Sequence, residues 1–277
     1  MSDIEGYIFI IRKIIKKEGI ILYNFGRIEE KLKKGETVYG SHIFCGAPSL
    51  TEAMSEIGFD VLWIDMEHTA IGIESLQNNL IAARAGGTPA FVRIPWNDKV
   101  LAKPVIDMGP EGIIFPYIRT AEDARNAVAA CEYPPKGERG YGPLRALDYG
   151  GITQVDFVDR IYRKMWRIVQ IEHIDAVNNL EEIVNVEGID AFVVGPNDLS
   201  GSVGHIGRVT HPDMMPIYDR IGEVMRKYNK VFGVSMGFVP EVIEQWKRRG
   251  AQIIFAGNDV GYVYEGATAV LKGLKQF

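Results

Sequence analysis

From Gly35 onward the chain repeats one unit: a short apolar run, a longer amphipathic stretch, then turn residues. The runs fall at Thr37–Phe44, Asp60–Met66, Pro89–Ile94, Gly112–Phe115, Arg167–Ile171, Ile189–Val194, Val231–Val234 and Gln252–Phe255, eight in all. They are solidly apolar rather than alternating, as strands covered on both faces must be, and such strands belong to parallel sheets. Between them, Ile73–Ala85, Ala121–Cys131, Ile174–Val184, Asp213–Tyr228, Pro240–Arg248 and Val260–Gly273 read as amphipathic helices. Gly58, Gly86, Gly109, Gly188 and Gly250 stand where a helix should stop and a strand begin, the place of a left-handed cap. Eight strands with crossover helices predict an α/β fold, a (β/α)8 TIM barrel, rather than a doubly wound sheet. A dinucleotide-binding sheet wants G-x-G-x-x-G after its first strand, and Cys45-Gly46-Ala47-Pro48 stands there instead.

Composition removes other classes. The 277 residues carry 31 Lys and Arg against 36 Asp and Glu, a net charge of −5, and 47% are hydrophobic. A mildly acidic globular chain is a poor partner for nucleic acid, whose phosphates need clustered cations. No stretch reaches the ~20 uncharged apolar residues that span a bilayer. Cys45 and Cys131 cannot staple a fold of this size and require no oxidising compartment, so a cytoplasmic location without membrane contact is expected.

The apolar run Tyr7–Tyr23 is broken by Arg12, Lys13, Lys16 and Lys17, unlike a signal peptide. Ile4, Ile8, Ile11 and Ile15 predict one amphipathic helix ending near Gly19 that packs on the domain or on a neighbouring subunit. The expected division is an N-terminal helical extension, 1–28, and a barrel domain, 29–277. One long irregular stretch, Tyr133–Gly151, contains PPKGERGYGP; such loops act as lids or interface segments.

In a barrel, the residues at the C-terminal ends of the strands line the active face. Here these are Asp65, Glu67 and His68 after the second run, Arg93 at the third, Gln170 and Glu172 at the fifth and Gly195-Pro196-Asn197-Asp198 after the sixth. Ser235 ends the seventh, and Asn258 and Asp259 follow the eighth. Glu172 and Asp198 are hard oxygen donors on adjacent strands, without Cys or paired His nearby, and suit Mg²⁺ or Mn²⁺. Each carboxylate has a plainer alternative, capping a helix or pairing with a cation. His68 is placed for general-base work near neutral pH, or for a structural hydrogen bond. Arg93 offers a planar donor fork for a carboxylate or oxyanion, or an ion pair to Asp65 or Glu67. Asp198 follows Gly195-Pro196-Asn197 at a helix start, where backbone N–H groups can receive a carboxylate. Asp259 reads as an N-cap, His205 and His211 as turn residues, His173 as pointing away and Cys45 as an inert thiol. No Lys ends strands five to seven, which disfavours Schiff-base chemistry.

Four strings carry a resemblance: Gly58–His68 (GFDVLWIDMEH), Val92–Asp98 (VRIPWND), Val169–Glu172 (VQIE) and Val194–Ser200 (VGPNDLS). In this order and spacing, from about Glu29 to near the C-terminus, the chain resembles the HpcH/HpaI aldolases, class II pyruvate aldolases. The resemblance implies a metal-dependent barrel that reversibly cleaves 4-hydroxy-2-oxo acids, such as 4-hydroxy-2-oxoheptanedioate or a 2-keto-3-deoxy sugar acid. The products would be pyruvate and an aldehyde, formed through an enolate held at the metal. It implies Glu172 and Asp198 as ligands of Mg²⁺ or Mn²⁺, with Co²⁺ as a further candidate, and no organic cofactor. Arg93 would hold the oxo oxygen, and His68 would act as base through a water at the metal. Asp107 would assist it from a neighbouring subunit. Gln170 would lie beside metal and substrate, and the Gly195-Pro196-Asn197 turn would receive the substrate carboxylate through N–H groups near Asn197 and Asp198.

The same resemblance implies a homo-hexamer, a trimer of dimers with the C-terminal helix exchanged between partners. Gly140–Gly150 differs from the corresponding loop of dicarboxylate-cleaving aldolases, which borders the aldehyde end. Competing readings are a citrate-lyase-β or malyl-CoA-type lyase, for which no basic cluster suits CoA phosphates, and decarboxylation of oxaloacetate or macrophomate-synthase-like chemistry through the same enolate. The last is a non-catalytic binding barrel, which would lack Glu172, Asp198, Arg93 or His68; all four are present.

Overall fold

The computed structural model describes residues 23–277, so the helix expected over residues 4–19 lies outside the described residues. The eight strands are β1 (Val38–Ile43), β2 (Val61–Asp65), β3 (Ala90–Arg93), β4 (Gly112–Phe115), β5 (Trp166–Ile171), β6 (Ala191–Val194), β7 (Phe232–Met236) and β8 (Ile253–Asn258). They pair in parallel in sequence order, and β8 pairs back to β1, closing a (β/α)8 barrel. Each expected run contains or overlaps its strand.

Closure sorts the side chains by period two. One set faces inward: Val38, Val61, Trp63, Phe91, Ile114, Trp166, Ile168, Ala191, Val193, Ile253 and Phe255 form a buried cluster inside the barrel. The alternate set, including Leu62, Ile64, Val92, Ile113, Val169, Phe192 and Val234, packs outward against the helices. Interior glycines make room for large rings. A Cβ on Gly112 would lie 2.5 Å from the Phe91 ring, and one on Gly40 2.5 Å from that of Phe255.

The helices are α1 (Gly26–Lys33), α2 (Pro48–Glu56), α3 (Ile73–Ala85), α4 (Lys99–Asp107), α5 (Ala121–Cys131), α6 (Ile174–Asn178), α7 (Leu180–Val184), α8 (Pro196–Ser202), α9 (Met214–Lys227), α10 (Pro240–Arg248) and α11 (Asp259–Leu274). Helix α1 runs across the junction expected between extension and barrel. Its Ile28 joins the interior cluster, and Lys31 pairs with Asp60 at 2.7 Å. The helix expected over Ile174–Val184 divides in two at Asn179, whose side chain turns away to donate to the Arg119 carbonyl at 2.9 Å. Helix α4 carries Pro104 in its interior, which masks its periodicity, and Asp98 caps it by accepting from Val100 and Leu101. At the end of α3 the left-handed residue is Gly87, one position beyond the expected Gly86.

The stretch Tyr133–Gly151 folds beneath the barrel instead of forming a lid over its own mouth. Arg145 donates to the Met108 carbonyl, Asp148 pairs with Arg84, and Ala146 accepts from the Tyr23 hydroxyl. Met108 and Arg84 close helices that end where strands begin, at the N-terminal end of the barrel. Helix α11 buries only Asp259, while Val260, Val263, Tyr264, Val270, Leu271 and Leu274 are exposed. Among the described residues no helix is long and apolar enough to cross a membrane.

Adding a methyl at Gly112 forces it into the Phe91 ring. Gly112→Ala should therefore destabilise the fold by about 1–3 kcal/mol, read as a lower urea midpoint at unchanged slope.

Candidate active site

The inward series of each strand changes character toward its C-terminal end. On β2, Val61 and Trp63 give way to Asp65; on β3, Phe91 to Arg93; on β5, Trp166 and Ile168 to Gln170 and then Glu172. On β1, Val38 and Gly40 give way to His42. The polar groups thus meet over an apolar floor.

Arg93 binds Asp65 through two parallel hydrogen bonds, Nε to Oδ1 at 2.8 Å and Nη2 to Oδ2 at 2.7 Å. Its Nη1 lies 2.8 Å from Glu67 Oε2, and the guanidinium sits 5.3 Å over the Trp63 ring. Both ion pairs set as alternatives for Arg93 are therefore present, and they lock the fork's plane at the mouth of the barrel.

Glu172 is buried, with a relative exposure of 2%, and both its oxygens are bonded: Oε1 accepts from the Tyr117 N–H at 2.6 Å and Oε2 from Gln170 Nε2 at 2.5 Å. Tyr117 reaches this position with φ at +57°, in the left-handed region that bulky residues avoid. Gly195 packs directly on the pair: a Cβ there would stand 2.8 Å from Gln170 Nε2 and 2.9 Å from Glu172 Oε2. Gln170 Oε1 is buried without a hydrogen-bond partner.

Burial raises the Glu172 carboxyl to about 8, reinforced by Glu67, while the Tyr117 N–H and Arg93 oppose the shift and Asp198 adds to it. Glu67 is raised as well, chiefly by burial. Asp65, Glu67, Glu172 and Asp198 converge around one guanidinium, so the site lacks positive charge. Its carboxylates are hard oxygen donors, with no thiol or imidazole pair among them. This set has the chemistry that suits a hard divalent cation.

Of the other anticipated residues, His68 stands at the rim, its side chain 60% exposed and Nε2 3.9 Å from Glu67 Oε2. Pro196, Asn197 and Asp198 open α8; Asn197 and Asp198 are exposed, and Asp198 is close enough to Glu172 to raise its carboxyl. Asp107 is not among them. It ends α4, at the opposite end of the barrel, where its Oδ1 accepts from Arg139 at 2.8 Å.

Among the weaker candidates, His173 caps α6 by accepting from the Asp175 N–H. His205 and His211 stack in a turn, with His205 3.0 Å from Asp213. The N-cap of α11 is Asn258, not Asp259. Asn258 accepts from the Gly261 N–H, whereas Asp259 is fully buried and accepts from the N–H groups of Phe44 and Cys45, tying α11 to the end of β1.

His42 was not anticipated. Its Nδ1 lies 2.7 Å from the Gly257 carbonyl, which can only accept, so Nδ1 carries the proton and Nε2 accepts from the Ser235 hydroxyl at 2.8 Å. Burial lowers its pKa to about 4, so it stays neutral. Its position two residues before the end of the first expected strand, in phase with Val38 and Gly40, was the available signal.

The profile of the HpcH/HpaI aldolase/citrate lyase family matches residues 41–265. The chain belongs to this family. As a member it is an enzyme, a carbon–carbon lyase. It is 35% identical to a 2-dehydro-3,6-dideoxy-6-sulfogluconate aldolase of Pseudomonas putida over 88% of this chain and 95% of that one. It is 33% identical to a 2-keto-3-deoxy-L-rhamnonate aldolase of Escherichia coli K12, over 83% and 86%. The crystal structure of an HpcH/HpaI aldolase from Desulfitobacterium hafniense superposes with a TM-score of 0.82 at 28% identity, covering 90% of this chain and 96% of that one.

Gly195 has room for hydrogen only. Gly195→Ala should leave the thermal midpoint within a few degrees but lower turnover by about tenfold or more, because the methyl displaces Gln170 and Glu172.

Proposed function

We propose that this lyase is a divalent-metal-dependent aldolase that reversibly cleaves a 4-hydroxy-2-oxo acid to pyruvate and an aldehyde. The observation that carries the reading is the grouping of Gln170, Glu172 and Asp198 beside the Asp65-locked fork of Arg93. The names of the similar aldolases favour a 2-keto-3-deoxy sugar acid over other 4-hydroxy-2-oxo acids.

Glu172 and Asp198 would hold the cation, Mg²⁺ or Mn²⁺. When bound, it supplies Lewis acidity toward the oxo oxygen of the substrate. Arg93 donates to the same oxygen and stabilises the charge that builds there as the C3–C4 bond breaks. Asp65 keeps that fork in plane, so the donor needs no reorganisation. Gln170 and the Gly195-Pro196-Asn197 turn orient the pyruvate end, with N–H groups near Asn197 and Asp198 receiving the carboxylate. His68, at the solvent rim, accepts the proton of the 4-hydroxyl and returns one to C3, which becomes the methyl carbon of pyruvate.

Asp107 completes the base from a neighbouring subunit. Two features support this: its place at the far end of its own barrel, and the exposed apolar residues of α11, which an exchange between partners in a hexamer would cover. The segment Gly140–Gly150 lies on the same side as Asp107, so any contact it makes with an aldehyde belongs to that neighbour's site.

Incubation with pyruvate in D₂O should show loss of the methyl proton NMR signal with Mn²⁺ or Mg²⁺ and none with EDTA. Glu172→Gln should reduce this exchange to background, and Arg93→Lys should slow it about a hundredfold in a folded protein. Exchange that persists in EDTA removes the metal from the reading; no exchange with any metal overturns it. Co-expressing Asp107→Asn with Glu172→Gln should restore activity in mixed oligomers, because one intact composite site forms from two inactive chains.

A further inference from the structure

Arg139 is the most deeply buried cation near Asp107: its side chain has 0% exposure, against 22% for the Asp107 side chain. Nη2 donates to Asp107 Oδ1 at 2.8 Å, while Nε and Nη1 have no hydrogen-bond partner. The guanidinium lies 4.6 Å over the Tyr133 ring and 6.0 Å from that of Phe157. A buried guanidinium with two unmet donors is a poor device for stability, since an apolar side chain of similar volume is often tolerated as well or better.

The backbone that carries it is pinned. The Glu138 N–H donates to the Ala129 carbonyl and the Arg139 N–H to that of Glu132, both at 2.9 Å at the end of α5. A Cβ on Gly137 would lie 2.4 Å from the Glu132 carbonyl oxygen, so only glycine permits this approach. Arg139 is thus a rigid post.

Asp107 needs such a post. It is the last residue of α4, where the helix dipole presents its negative end and repels a carboxylate. Among the described residues, no other group hydrogen-bonds to its carboxylate. Oδ2 faces the backbone at Gly142, where even an added Cβ would stay 4.0 Å away. One oxygen is held, and the other takes no hydrogen bond within the described residues.

We propose that Arg139 is a positioning residue: it clamps Asp107 Oδ1 so that Oδ2 is presented, in one orientation, to the active site of a second copy of this chain. The inference rests on the reading that Asp107 serves a neighbouring subunit. Arg139 touches no substrate and acts only through Asp107.

Mixed oligomers test it, using two affinity tags to purify the hybrids. Arg139→Met should fold and lower turnover about tenfold to a hundredfold, as Asp107→Asn should, with the double variant no worse than either single one. Arg139→Lys, which keeps the charge without the planar fork, should fall between. Arg139→Met paired with Glu172→Gln should regain activity, because the Glu172→Gln chain still presents a clamped Asp107. Arg139→Met paired with Asp107→Asn should not, because neither chain does. A role confined to folding would show the same rescue with both partners or with neither, and either pattern overturns the proposal. Full activity of Arg139→Met also overturns it. If Asp107→Asn itself is fully active, or is not rescued by Glu172→Gln, the shared-site reading falls and the proposal falls with it.

Discussion

Closure of the sheet is the constraint on which the rest depends. Once β8 pairs with β1, every strand has neighbours on both sides, and each inward side chain shares a narrow interior with those of the other strands. That interior tolerates rings only where glycines yield space, as at Gly40 and Gly112. It tolerates charge only where partners are within reach. Ionisable residues therefore collect at the open C-terminal end, where Arg93 binds Asp65 and Glu67 and where Glu172 meets Gln170 and the Tyr117 N–H.

The site is assembled from strands that are rigid and from turns that are not free to be otherwise. Tyr117 adopts a left-handed backbone to turn its N–H toward Glu172, and Gly195 comes close enough to Gln170 and Glu172 to exclude a methyl group. Both features hold a carboxylate whose charge is costly where it stands. In the proposed reading this carboxylate is a metal ligand, and holding it in place leaves little reorganisation for binding. The opposite end of the barrel is built differently. There the long stretch after α5 packs under the strands, and Arg139 and Arg145 are buried in it as anchors for Asp107 and Met108.

Much of this was legible in the residues. The eight strands could be read because strands covered on both faces are solidly apolar, and the strand-end positions of Arg93, Gln170, Glu172 and Asp198 followed from the barrel. His42 was hidden because a single histidine within an apolar run gives no sign of its partners, which come from β7 and the end of β8. The helix at Lys99–Asp107 was hidden by Pro104, and Asn258 by the neighbouring Asp259, since two adjacent capping residues look alike until their backbone geometry separates them.

By itself, then, the order of residues determined the barrel, the helices that cover most of it and the polar groups that stand at its mouth, because periodicity and position along a strand are local properties. Tertiary structure decided what those groups do to one another. The bidentate lock of Arg93 on Asp65, the raised carboxyl of Glu172 and the clamp of Arg139 on Asp107 each join residues distant in the chain. Hydrogen-bond geometry and burial depend on which groups folding brings within about 3 Å, and that separation is not written in sequence spacing.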